Sequence, residues 1–131
     1  MKAYTILMLE DEPLILLDLE LAAEDRGCIA LTASCCEEAQ RLITQHGRDI
    51  DVAILDVSLG EGKTCFPITH QLDQQKIPYI LHSGDLDRHD EHIREIAAEL
   101  VAKPAAAEKV IAAAVIHSEG SDPADQKLAA E

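Results

Sequence analysis

Aromatic side chains are nearly missing from this chain: two Tyr, one Phe and no Trp in 131 residues. Any core must therefore be built from Leu, Ile, Val and Ala, and the 47% apolar content is enough to build one. Basic residues are also scarce, 11 against 25 acidic ones, for a net charge of −14. A surface this acidic repels phosphate backbones and anionic lipid, so direct nucleic-acid or membrane binding is not expected. No apolar run approaches the roughly 20 residues of a membrane span, and the first residues lack a basic start followed by a long apolar stretch. A cytoplasmic protein is the expectation. None of the four cysteines (Cys28, Cys35, Cys36, Cys65) forms a C-x-x-C pair, and the adjacent Cys35 and Cys36 are poorly placed to bridge each other. They read as reduced structural thiols.

What the chain does have is alternation. Short apolar runs at 4–9, 28–32, 52–55, 79–81 and 100–102 read as strands, and between them lie helical patterns at about 14–25, 36–46, 64–75, 88–97 and 105–117. In the first helix Leu14, Leu17, Leu21 and Ala22 recur at helical spacing, with Asp18, Glu20 and Glu24 on the other face. Pro13 suits a first-turn position, Gly27 a helix stop, and Gly47 is expected to end the second helix in the same manner. The strand runs are too continuously apolar to face water on one side, as in parallel strands covered on both faces. Right-handed strand–helix–strand units then give a doubly wound (βα)5 α/β domain of the flavodoxin-like type. Its five-stranded parallel sheet has order 2-1-3-4-5 with helices on both faces. One domain over 1–118 and a polar tail over 119–131 are expected.

Chemistry-bearing residues follow the strands: Glu10 and Asp11 after the first, Asp56 after the third, Ser83 after the fourth, Lys103 and Pro104 after the fifth. Residues in these positions share one edge of a parallel sheet, where open α/β folds place their sites. Asp56 can act there as a carboxylate nucleophile. Glu10 and Asp11 beside it would raise one another's pKa unless a cation joins them, and Mg²⁺ suits such a set. Asp11 and Asp56 are read as direct ligands, Glu10 as a ligand through water, and the Ser58 backbone carbonyl as a further donor. Lys103 can pair with free Asp56, and later with a phosphoryl oxygen. Its bond to Pro104 is a candidate cis peptide. Ser83 offers a hydroxyl to the same oxygen, and Gly84 permits close backbone approach. Taken singly, each has an ordinary alternative as a cap, turn or surface residue. His82, Asp85, His89 and His92 read as solvated helix residues rather than metal ligands.

Four segments in this order and spacing ("MLEDEPLIL", "DVAILDVSLG", "PYILHSG" and "VAKP") resemble the receiver domain of two-component response regulators, over about residues 3–117. The resemblance implies Mg²⁺-dependent transfer of a phosphoryl group to Asp56 from a histidine kinase or phosphotransfer protein, with slow hydrolysis afterwards. It also implies a switch, through Ser83, in the face made by the predicted helix at 88–97, the strand at 100–102 and the helix at 105–117. That face also serves homodimerisation in the family. Catalysis would be confined to the domain's own phosphorylation and dephosphorylation. A stand-alone receiver would signal by phosphorylation-dependent protein contacts or act as a phosphate sink. The alternative is a pseudo-receiver, a binding module that works without phosphorylation. Two positions depart from the family pattern: Leu100 stands where an aromatic residue is common, and Gly60 where Pro is usual.

Overall fold

The computed structural model of the chain describes residues 3–84 and 99–120. The predicted helix at 88–97, with Asp85, His89 and His92, and the tail from residue 121 lie outside the described residues. The elements run β1 (Thr5–Leu9), α1 (Pro13–Asp25), β2 (Ile29–Ala33), α2 (Cys36–His46), β3 (Val52–Asp56), α3 (Phe66–Gln74), β4 (Tyr79–Ser83), β5 (Glu99–Ala102) and α4 (Ala107–Gly120). All pairings are parallel, in the order β2-β1-β3-β4-β5. The expected topology is thus the observed one, with strand ends within two residues of their predicted positions. The last helix runs on to Gly120, where Glu119 accepts a hydrogen bond of 2.9 Å from the Tyr4 hydroxyl.

Alternation along the central strands divides the core in two. Ile6, Met8, Ile54 and Ile80 face α1 and α4, where they meet Leu19, Ala23, Val110 and Ala114. Leu7, Leu9, Leu55 and Leu81 face α2 and α3, where they meet Ile43, Ile68 and Leu72. Residues in β1, β3 and β4 are buried throughout because both faces are covered, whereas β2, at an edge, is half exposed. The four cysteines are free, two of them buried, and Cys65 sits wholly inside.

The structure corrects two sequence expectations about the helices. Gly27 does end α1 in the left-handed region (φ +80), with the Cys28 N–H donating to the Ala23 carbonyl at 2.9 Å. Gly47 does not end α2 that way; its backbone is right-handed (φ −50, ψ −38). It is small for packing reasons, since a Cβ there would run into the Gln75 side chain and come within 2.7 Å of the Ile43 carbonyl oxygen. The second correction concerns α1. Leu14, Leu17 and Leu21 do not face the core but are 77%, 47% and 50% exposed, while Leu19, Ala22 and Ala23 are buried. The helix is apolar on most sides, so periodicity alone did not identify the stripe that docks.

This reassignment predicts a split in stability. Leu19→Ala should cost about 2–5 kcal/mol, the range for emptying a fully buried leucine site. Leu14→Ala should stay within about 0.5 kcal/mol of wild type, as exposed substitutions do. Urea titrations followed by circular dichroism measure both; equal losses would restore the original face.

Candidate functional site

β1 and β3 lie side by side at the centre of the sheet, with Leu9 opposite Leu55. The next residue on each strand is therefore a carboxylate next to a carboxylate: Glu10 beyond β1 and Asp56 at the end of β3. The Glu10 N–H still donates to the Ala33 carbonyl at 3.0 Å, which extends the ladder with β2 by one residue and fixes the direction of its side chain. Glu10 and Asp56 are 1% and 4% exposed. Lys103 follows β5, and its N–H donates to the Ser83 carbonyl at 2.7 Å, pinning it to the end of β4. From there its side chain crosses the end of β4 to reach β3 and β1. The ammonium lies 3.2 Å from Glu10 Oε2, 3.4 Å from Glu10 Oε1 and 3.3 Å from Asp56 Oδ1.

One ammonium does not balance this site. Glu10, Asp11 and Asp56 can each offer an oxygen such that all three lie within 4.8 Å of one another. With all three ionised, three negative charges against one positive leave −2 in a buried place. Burial, and then the charge of Glu10, push the Asp56 carboxyl up to about 8 against the pull of Lys103. Burial works to lower Lys103, but Asp56 and Glu10 outweigh it and hold the ammonium above its ordinary value. Such a group of hard oxygen donors with unbalanced charge can hold a divalent cation.

No family model matches the chain, and no curated protein sequence does. Solved structures do match. The solution structure of SdrG from Sphingomonas melonis Fr1 is 30% identical, with a TM-score of 0.72 over 90% of this chain and 98% of that one. A response regulator receiver domain protein from Clostridium thermocellum is 28% identical, with a TM-score of 0.74 over 88% and 93% of the two chains. A response regulator receiver protein from Sinorhizobium medicae, at 20% identity and a TM-score of 0.76, covers 92% and 98% and shares the fold. The chain belongs to the response regulator receiver family.

Two departures of this receiver from the family pattern have a structural reading. Gly60 sits at φ +81, where proline, locked near −65°, cannot follow. It also lies against the site, since a Cβ there would meet Asp11 Oδ2 at 3.4 Å. The Gly60 turn is closed by Lys63, whose N–H donates to the Gly60 carbonyl at 2.9 Å, and Ser58 pairs with Thr64 at its base. Leu100 lies opposite Leu81 and packs against the α2–α3 side of the core. Ser83 is fully buried at the end of β4, with its hydroxyl donating to the Gly84 carbonyl at 3.1 Å. The Lys103–Pro104 peptide is cis.

His82 overturns its sequence reading. It is a strand residue, opposite Asp56 on β3 and Val101 on β5, and only 3% exposed. Burial, and then the Lys103 charge, push its pKa down to about 4. The unbroken apolar run before it, "IPYIL", was the signal that it lies inside.

Folding raises the Asp56 pKa above its unfolded value of ~3.9. The folded state therefore binds more protons than the unfolded one between that value and about 8. The stability this carries is complete below the unfolded pKa and is lost as pH rises through the folded one. Asp56→Asn, which cannot ionise, should therefore melt higher than wild type at pH 8.5 without divalent cation. Each kcal/mol is worth ~4 °C at this chain length. The gap should shrink towards pH 5, and thermal melts at the two pH values read it; a gap independent of pH would contradict the charge imbalance.

Proposed function

We propose that Asp56 is a phosphoacceptor and that the chain works as a response regulator receiver. The observation that carries this reading is a buried Asp56 held between Lys103 and two further carboxylates at the strand-end edge of the sheet. An Asp56 oxygen attacks the phosphorus of a phosphohistidine; the new P–O bond forms as the P–N bond breaks, and the imidazole leaves with its electron pair and takes up a proton. Lys103, already 3.3 Å from Asp56 Oδ1, is placed to pair with a phosphoryl oxygen once the carboxylate is modified. Ser83, one strand end away, supplies the hydroxyl that reads the modified state. Mg²⁺ fits the hard oxygen set, with Asp11 and Asp56 as direct ligands, Glu10 through water and the Ser58 carbonyl; when bound it neutralises carboxylate and phosphoryl charge. The chain turns over no separate substrate. It acts in the cytoplasm, by phosphorylation-dependent protein contacts or as a phosphate sink, with a histidine kinase or phosphotransfer protein as its donor. Homodimerisation through the face that includes β5 and α4 belongs to the same reading.

The exposed leucines of α1 support a protein donor. Leu14 lies three residues past Asp11, and Leu14, Leu17 and Leu21 form an apolar stripe leading away from the site. Exposed Asp18, Glu24 and Asp25 lie near it. A helix carrying the donor histidine, apolar on one face and basic at its rim, can lie along that stripe and present its phosphoryl group to Asp56.

Incubation with acetyl phosphate and Mg²⁺ should add one phosphate by intact mass, and Asp56→Asn should abolish it. A native protein left unmodified by several donors would instead favour a phosphorylation-independent binding module.

Leu14→Glu should slow transfer from a phosphohistidine protein that labels wild type by about tenfold or more, the equivalent of ~1.4 kcal/mol. Labelling by acetyl phosphate should be unchanged. Equal slowing with both donors would remove α1 from the donor interface.

A further inference from the structure

Side chains alternate along a strand, so His82 shares the α1–α4 face of the sheet with Ile80, two residues before it. Asp56 shares that face with Ile54, and the register sets it directly opposite His82. Lys103 shares it with Val101, two strands away from Asp56. To reach Asp56 the lysine must therefore cross the end of β4 on the face that His82 occupies. The ring found there is an anomaly. His82 is 3% exposed, and neither of its ring nitrogens has a hydrogen-bond partner among the described residues. No other buried side-chain nitrogen or oxygen among those residues is left unpaired. Such a group costs on the order of 1–3 kcal/mol, which a leucine in the same place would avoid. Both nitrogens are covered by protein, so a partner has to come from a neighbouring side chain.

We propose that the acceptor nitrogen of His82 is a second partner for the Lys103 ammonium, taken up when the Asp56 carboxylate no longer accepts from it. The chemistry of the two groups matches. A neutral imidazole carries one acceptor nitrogen, and an ammonium carries three donors. Burial and the nearby Lys103 charge both keep the ring unprotonated, so its lone pair stays free for a donor. In the unmodified site the donors of Lys103 face Glu10 and Asp56, which leaves the imidazole without one. The use of this arrangement rests on the reading of Asp56 as phosphoacceptor. Once the carboxylate oxygen is esterified, one donor turns to His82, and the others stay with Glu10 and a phosphoryl oxygen. His82 is thereby a positioning residue that acts through Lys103, and the stability given up by its unpaired ring is recovered in the modified state.

Asp56→Ala removes the carboxylate without any phosphodonor or divalent cation. In ¹⁵N-histidine-labelled full-length protein at neutral pH, this variant should move the acceptor nitrogen of His82 upfield, as gaining a hydrogen bond does. Adding Lys103→Met should abolish the shift. Urea titrations give a second reading. His82→Leu should raise the midpoint of the native protein, because it removes an unpaired buried group. That gain should vanish in the Asp56→Ala background, where the ring is paired. If Asp56→Ala does not fold, Asp56→Asn, which removes the charge and keeps the shape, serves for both readings. No shift at His82, a shift that survives Lys103→Met, or an equal gain from His82→Leu in both backgrounds overturns the proposal. Every arm is read on unphosphorylated protein, so failure here is distinct from failure of phosphorylation at Asp56.

Discussion

A lysine stretched across the end of a strand to two buried carboxylates is the interaction on which the strand-end site depends. Lys103 is fixed at its backbone by β4 and at its ammonium by Glu10 and Asp56, so it ties β1, β3, β4 and β5 together at one edge. Buried ion pairs contribute little net stability, because desolvating the charges costs about as much as their attraction returns. What this one does is hold the Asp56 carboxylate in a defined place while leaving it short of positive charge. Burial and Glu10 raise Asp56, Lys103 opposes them, and the net shift is still upward. Both a divalent cation and a phosphoryl group with its own counter-charges change that balance, which is the property a switch needs.

The rest of the fold serves to make that edge. Continuous burial of β1, β3 and β4 between two helical layers leaves their ends as the place where polar groups gather. The turn after β3 adds Gly60, whose positive φ lets the backbone pass close to Asp11 without a side chain in the way. On the opposite flank β4 carries buried His82 beside Asp56, its ring nitrogens unpaired among the described residues. The site is thus bordered by a tight glycine turn on one flank and a buried imidazole on the other.

Much of this was legible in the sequence, for a physical reason. Strands buried on both faces must be apolar almost throughout, so "YTILML", "DVAIL" and "IPYIL" stand out, and the polar residues ending such runs must lie at the rim. The same reasoning failed at α1 because that helix is apolar on nearly every side. Leu14, Leu17 and Leu21 match a core stripe as well as Ile15, Leu19, Ala22 and Ala23 do, and only packing against β1 and α4 separates them. In α2, by contrast, Ala39 and Ile43 are buried while Glu37, Glu38 and Arg41 are not, and no such ambiguity arises. Gly47 was misread for a related reason: its small size answers to the close approach of the Ile43 carbonyl and the Gln75 side chain, which residue type alone does not reveal. His82 was misread because a lone polar residue inside an apolar run reveals its burial only through its neighbours.

The central claim is that the phosphoryl group goes to Asp56 and nowhere else. Borohydride reduces an acyl phosphate to the alcohol, and converts a phosphorylated aspartate into homoserine at the same position. After incubation with a phosphodonor and Mg²⁺, reduction and peptide mapping by mass spectrometry should place homoserine at position 56 alone. Homoserine at another position, or a phosphate that resists reduction on a Ser, Thr or His side chain, would contradict the account.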